Sequence, residues 1–307
     1  MAAHPPGSEV SEDDLSDFLV TVILRGGIYT LMALGLSLVF GVMNIPSFAH
    51  GEHYMLGAYF AYFGITRFNM SALAAILFAA VLSFLFGAVI ERIVFNPLRR
   101  HNKGNWIMNA FLVTLGLSFV LQSGARKLWG SNTRGVTSLF QGTTYFGSFG
   151  VSNDRIVGFV IAVTVIILFM LFLKFTSYGR AIRAVSMDET GAKLIGIDLD
   201  RMFTVTFALS TMLAGVAGAC LLSIIPATPS MGLNPLYKSW FILILVGMGN
   251  IGGCIVGGVI VAMLETIAIY TLGMGWQDVI SLGVIILILL IKPNGIFGKK
   301  GIKTINE

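Results

Sequence analysis

Charge is what this chain has least of. Asp, Glu, Lys and Arg make up 11% of its 307 residues, against about 25% in an ordinary soluble domain. Beside 56% hydrophobic residues, that shortage excludes both a water-soluble globular fold and a disordered one. Cysteine is nearly absent. Cys220 and Cys254 are the two present, both in apolar runs where a thiol acts as a small hydrophobe, so a disulfide scaffold is not supported. Histidine is equally sparse, with four residues. His50 and His53 flank Gly51-Glu52 without the His-Glu-x-x-His spacing that aims two imidazoles from one helix face, and no third ligand is evident. No glycine-rich string ends in Gly-Lys-Ser or Gly-Lys-Thr, so the chain has no phosphate-binding loop of its own. Gly247-x-Gly249-x-x-Gly252 spells the dinucleotide fingerprint, but it lies among apolar runs and the next acid, Glu265, comes too early for it. The N-terminus carries Glu9, Glu12, Asp13, Asp14 and Asp17 and lacks the positive start of a signal peptide.

What is abundant is long apolar runs and glycine, 36 residues of it. Small residues let membrane helices approach closely where no hydrophobic drive pulls them together. A bilayer core of about 30 Å needs roughly 20 apolar residues per helix. The runs at 18–40, 53–65, 71–95, 106–125, 156–175, 203–225, 254–271 and 279–291 give about eight spans, with 238–250 as a short interrupted segment. The expected fold is all-α, a polytopic transmembrane helix bundle. A polar tail, 1–17, precedes a membrane domain, 18–298, and a basic tail, 299–307, follows it.

Short-loop Lys and Arg favour the cytoplasmic face. Placing 96–105, 176–202 and the C-terminal tail inside puts the N-terminus outside, and parity then demands that 238–250 cross. The long polar interval 126–154, without hydrophobic period, falls outside. The formal charge of +5 therefore speaks for topology and membrane lipid, not for a nucleic-acid partner.

The chain is organised around Tyr178–Arg201, a charge-rich interval between two spans. Its pattern allows short helices broken by Gly191 and Gly196. A plain solvated linker would not need Ala184, Val185, Ala192, Leu194, Ile195 and Ile197 between its charges. These are expected to pack on a partner, with Asp188 or Glu189 pairing with Arg or Lys to anchor the angle.

A second feature is the interruption after the first span. Pro46 disfavours helix at Ile45 and removes a donor. Irregular backbone at membrane depth is tolerated only inside protein or against water. Asn44, Ser47, His50 and Glu52 are therefore candidates for a translocation path, or caps of the break at the cytoplasmic surface. Gly41-Val-Met-Asn44-Ile45 is echoed by Gly247-Met-Gly-Asn250-Ile251, and paired interruptions can mark a path between inverted repeats. Asn250 joins the candidates for that reason. Glu265, deep in an apolar run, joins them because intramembrane carboxylates face a bundle interior or a polar path. Glu91, beside Arg92, reads more simply as interfacial.

Asn44–Tyr59 (NIPSFAHGEHYMLGAY), Glu91–Arg100 (ERIVFNPLRR), Thr114–Gln122 (TLGLSFVLQ), Gly179–Asp198 (GRAIRAVSMDETGAKLIGID) and Leu290–Gly298 (LIKPNGIFG) occur in one order. Together they resemble the membrane permease of branched-chain amino acid ABC importers, the H type more than the M type. The resemblance implies a bacterial inner-membrane subunit pairing with a second, related permease. Two cytoplasmic ATPases, using ATP and Mg, and an extracytoplasmic solute-binding protein would complete it, with an amino acid as substrate. No cofactor and no catalytic residue are implied for this chain, which would be a transport subunit and not an enzyme. By the same resemblance, Arg180, Arg183, Asp188, Glu189, Ala192, Gly196 and Ile197 belong to the loop that couples to the ATPases. Two departures stand out: the inserted-looking Ile45–Phe48, and Gly191 inside the coupling segment. The alternative on residues alone is an ion-gradient-driven carrier of amino acids or similar small polar solutes, with Glu265 in its ion site.

Overall fold

The computed structural model describes residues 12–101, 106–137, 140, 142–146 and 149–298; the tail 299–307 and most of the tail 1–17 lie outside them. Twelve α-helices follow in order among the described residues. They are α1 (Glu12–Met43), α2 (His50–Phe68), α3 (Ala72–Ile90), α4 (Asn96–His101), α5 (Trp106–Trp129), α6 (Asn153–Phe175), α7 (Ser177–Met187), α8 (Glu189–Leu194), α9 (Leu199–Leu221), α10 (Leu233–Val246), α11 (Gly253–Leu272) and α12 (Gln277–Ile291). A π-helical turn, Glu91–Phe95, joins α3 to α4, so the expected polar link at 96–105 begins as a continuation of the span.

Seven helices are long and apolar enough to cross a membrane among the described residues. They correspond to seven of the eight expected spans. The eighth, α2, carries His50, Glu52, His53 and Arg67 and is too polar in composition to register, yet its first ten residues, 50–59, are all buried. The helices divide by position. In α9 and α1, 83% and 72% of the apolar window is buried, against 11% in both α5 and α12. The first pair forms the centre, and the second stands at the rim with side chains such as Phe119 and Leu290 turned outward.

Close packing at the centre depends on glycine. A Cβ on Gly57 of α2 would lie 2.2 Å from the Gly215 carbonyl oxygen of α9, and one on Gly218 would lie 2.0 Å from the Tyr54 carbonyl oxygen. Beside that crossing, Gly87 of α3 meets Thr211 of α9, and Gly215 meets Ser83 of α3. Thr211 Oγ1 donates to the Ser83 carbonyl at 3.0 Å. Dispersion and hydrogen bonding of this kind take the place of the hydrophobic effect between membrane helices.

Contacts at the helix ends sort them onto two faces. Tyr270, near the end of α11, reaches Asp17 at the head of α1. Gly158 at the head of α6 faces Cys220 at the end of α9, and Lys238 early in α10 pairs with Asp278 at the head of α12. On the opposite face, Gly41 touches Gly249, and Arg99 of α4 pairs with Asp200 at the head of α9. Among the described residues the chain thus makes nine traverses of the bundle, through α1, α2, α3–α4, α5, α6, α9, α10, α11 and α12. The short segment crosses and does not return to its own face. It also starts earlier than its apolar pattern, at Leu233 instead of Lys238, and its 14 residues cover only about 21 Å.

The C-terminal stretch makes up for that shortness. Ile296 N and Phe297 N donate to the carbonyls of Leu245 and Val246 at 2.8 and 3.0 Å, supplying partners to carbonyls that a helix end leaves open. The interval 126–154 holds more order than its polar composition promised. The end of α5 reaches Trp129, and β1 (Thr143–Phe146) pairs antiparallel with β2 (Phe149–Ser152), Thr143 opposite Ser152. The backbone at Arg134 bridges Ala227, which ties this region to the α9–α10 connection.

Candidate functional site

The interruption between α1 and α2 lies at membrane depth. Asn44 closes α1 with φ 55°, a left-handed conformation that asparagine tolerates better than most residues. Residues 45–49 then run back alongside α1, because His50 Nε2 donates to the Met32 carbonyl at 3.0 Å. Met32 lies about 16 Å back from the end of α1 at 1.5 Å per residue, so α2 begins midway through the bundle. One traverse therefore opens with non-helical chain at 44–49 and is completed by α2. Thr114 of α5 secures the extended half: its hydroxyl accepts from Phe48 N at 3.2 Å and stands 3.3 Å from the Pro46 carbonyl.

The path candidates fall in separate places. Asn44 is exposed on the face where α1 ends. Asn250 is close by, since Gly41 and Gly249 touch, and it caps α11 by accepting from Gly253 N at 3.0 Å. The two echoed strings therefore meet. Each follows a helix running towards the same face, which is the relation of a parallel repeat and not of an inverted one. His50, Ser47 and Glu52 lie buried at mid-depth. Ser210 of α9 stands 3.4 Å from His50 Nδ1, and Ser118 of α5 donates to Glu52 at 3.0 Å. Ser47 Oγ, Glu52 Oε2 and both ring nitrogens of His53 have no protein partner among the described residues, so unspent hydrogen-bonding capacity surrounds the break.

Glu265 sits elsewhere, in the half nearer the N-terminus. Its carboxylate forms an ion pair with Lys238 and accepts from the Tyr29 hydroxyl at 2.8 Å. Lys238 also pairs with Asp278. Lys238 and Glu265 are almost wholly buried, with side-chain exposures of 3% and 0%, whereas Asp278 is 53% exposed. Sequence reasoning placed Lys238 at the edge of an apolar segment and missed it as a buried cation. The available signal was complementarity: one lone cation and one lone acid in neighbouring apolar runs. Beside this cluster a cavity of 630 Å³ opens between α1, α9 and α10.

The charge-rich element is built in three steps. Thr176 caps α7 by accepting from Gly179 N at 2.9 Å. Asp188, extended at φ −155°, breaks the helix and caps α8 by accepting from Thr190 N at 3.0 Å. Gly196, at φ +87°, ends α8, and Asp198 caps α9 by accepting from Arg201 N at 3.2 Å. The first break thus falls at Asp188; Gly191 stays helical, and only Gly196 breaks where expected. Asp188 serves as a cap, and neither it nor Glu189 forms an ion pair among the described residues. The apolar set divides. Ile182, Val185 and Ala192 face the bundle, while Leu194 and Ile195 are 83% and 75% exposed, joined by Met187 at 80%. Arg180 and Arg183 donate to the carbonyls of Phe175 and Lys174, closing the end of α6, and Ile197 is half-buried.

A network that the sequence did not disclose braces this element. Glu91, in the π-helical turn, is fully buried. Arg99 Nη1 donates to it at 3.2 Å and Thr204 Oγ1 at 2.6 Å, while Arg99 Nη2 donates to Asp200 at 2.6 Å and Arg100 to Asp200 at 2.8 Å. The Arg99 guanidinium also lies 4.4 Å from the centre of the Phe203 ring. Removing Arg99 leaves Glu91 buried without its cation, a loss of about 3–5 kcal/mol for such a group. Arg99→Ala is expected to lower the thermal unfolding temperature of the purified protein, and adding Glu91→Gln should restore part of it.

The family model described as "Branched-chain amino acid transport system / permease component" matches residues 18–289. The chain belongs to this family. Among relatives of the permease, BraD of Pseudomonas aeruginosa, a high-affinity branched-chain amino acid transport system permease protein, is 30% identical over 301 residues, covering 94% of this chain and 97% of its own. LivH of Escherichia coli, described in the same words, is 29% identical over 297 residues, with 92% and 95% covered. In Methanocaldococcus jannaschii the probable LivH is 31% identical and the probable LivM 25%, covering 92% and 94% of the permease chain. No solved structure matches. The family match extends through the break at 44–49 and the element at 177–198, so both belong to the matched region.

Proposed function

We propose that this permease is the membrane subunit of an ATP-driven importer of branched-chain amino acids, without an ATPase site of its own. It pairs with a second related permease, receives solute from an extracytoplasmic binding protein, and is driven by two cytoplasmic ATPases. The 177–198 element and the C-terminus face the cytoplasm of a bacterial inner membrane, and the N-terminus and the β-hairpin face outward. Arg180, Arg183, Asp188, Glu189, Ala192, Gly196 and Ile197 form or shape the coupling element.

One observation carries this reading. Met187, Leu194 and Ile195 are exposed at the tip of a polar element that is capped at both helix starts and braced to α4 through Asp200. An apolar tip on a rigid arm, away from the lipid-facing rim, fits a groove on a soluble partner better than it fits water. The ion-coupled alternative receives less support, because Glu265 is already engaged by Lys238 and Tyr29. The test is the double variant Leu194→Asp, Ile195→Asp. ATP-dependent uptake into vesicles is expected to fall at least tenfold, with the amount of inserted permease unchanged and co-purification of the ATPases lost. Unchanged uptake would overturn the reading, as would uptake that follows an ion gradient after ATP depletion.

A further inference from the structure

The cavity between α1, α9 and α10 is lined by unlike groups, and two of them share one face of α1. Arg25 and Tyr29 are four residues apart, which sets them one above the other on a helix, about 5–6 Å apart at Cβ. Arg25 enters no ion pair or side-chain hydrogen bond among the described residues and offers only donors. Tyr29 is the opposite. Its hydroxyl proton is committed to Glu265 Oε2, whose other oxygen is paired with Lys238. The phenolic oxygen can therefore only accept a further hydrogen bond. Ile28 and Met32 of the same helix, and Leu221 and Ile224 across the opening, supply apolar wall. The volume of 630 Å³ falls within the usual range of roughly 300–1,000 Å³ for small-molecule sites.

The geometry points to a binding pocket for a small zwitterion with an apolar side chain. Arg25 takes the carboxylate, the Tyr29 oxygen takes the ammonium, and the side chain lies against Ile28 and Met32. Lys238 and Glu265 act through Tyr29 as positioning residues. This deepens the proposed import of branched-chain amino acids by naming a holding place within this chain.

The test exploits Ser230, an exposed residue on the cavity wall. Ser230→Cys is introduced into the full chain with both buried cysteines replaced by alanine. The rate of labelling by a small charged thiol reagent is followed in membrane vesicles, a readout that registers even weak occupancy. Millimolar L-leucine is expected to slow labelling at least fivefold, whereas 4-methylpentanoate, 3-methylbutylamine and urea should not. Arg25→Gln should abolish the protection while leaving the unliganded labelling rate unchanged, and Arg25→Lys should retain part of it. Equal protection by the amine, protection surviving in Arg25→Gln, or no protection by leucine would overturn the pocket. Those outcomes leave ATP-dependent uptake untouched, so the importer reading stands or falls separately.

Discussion

A valine at Gly218 is expected to prevent the permease from reaching its folded state. The added Cβ would stand 2.0 Å from the Tyr54 carbonyl oxygen, 2.9 Å from its carbon and 3.2 Å from the Ala58 nitrogen. All are backbone atoms of α2, which no side-chain rotation can move aside. Nor can the helix as a whole withdraw. Gly57 and Gly215 meet on the same crossing, and α3 packs against α9 beside it through Ser83 and Thr211. Separating α2 from α9 would strip contact along the most buried helix of the bundle. Overpacking of a core typically costs about 1–3 kcal/mol and more where the backbone is fixed. Membrane-inserted Gly218→Val protein should therefore fail to give a monodisperse peak in detergent and should be cut by added protease. Gly116→Ala on α5, where a new Cβ meets nothing within 4 Å, should behave as the parent. If both variants purify alike, the close crossing of α2 and α9 is wrong.

Lys238→Met should cause the second large loss. Breaking a buried ion pair from one side costs about 3–5 kcal/mol, because the remaining charge has neither water nor partner. Glu265 would be left in that position, with only the Tyr29 hydroxyl beside it. Asp278, half exposed, would suffer less, since solvent can take over from the lysine. The double variant Lys238→Met, Glu265→Met is expected to recover most of the stability, as replacing both charges by apolar groups of similar volume is often neutral. Thermal unfolding of the purified permease should therefore order as parent, double variant, single variant. A single variant as stable as the parent would mean that Glu265 is already neutral or hydrated.

The apolar runs disclosed most of the fold because lipid leaves the backbone no alternative to helix. Hydropathy located α1, α3, α5, α6, α9, α11 and α12 within a few residues. It also set the parity that makes α10 a crossing, although Lys238 hid where that helix begins. Pro46 rightly marked a break before α2, but not that 45–49 climbs back to the level of Met32, which only the contact from His50 reveals. The β-hairpin left no sign in its composition, since Thr, Gly and Ser suit a loop equally well. In the charge-rich element, glycine was given too much weight as a breaker. Gly191 stays helical because the capping demand of α8 falls on Asp188, one residue before it. The least legible parts were the long-range charge pairs. Glu91 and Asp200 share Arg99 across more than a hundred residues, and no local pattern encodes such a meeting.

The strap formed by Ile296 and Phe297 has a bearing on how the molecule is made. A ribosome delivers those residues some fifty positions after α10, yet they complete the end of that helix, which is 14 residues long. Until they emerge, α10 has open carbonyls at Leu245 and Val246. Assembly of this short crossing therefore waits for a much later stretch of chain to close over it, and a nascent permease halted just before Asn294 would wait with that crossing unfinished.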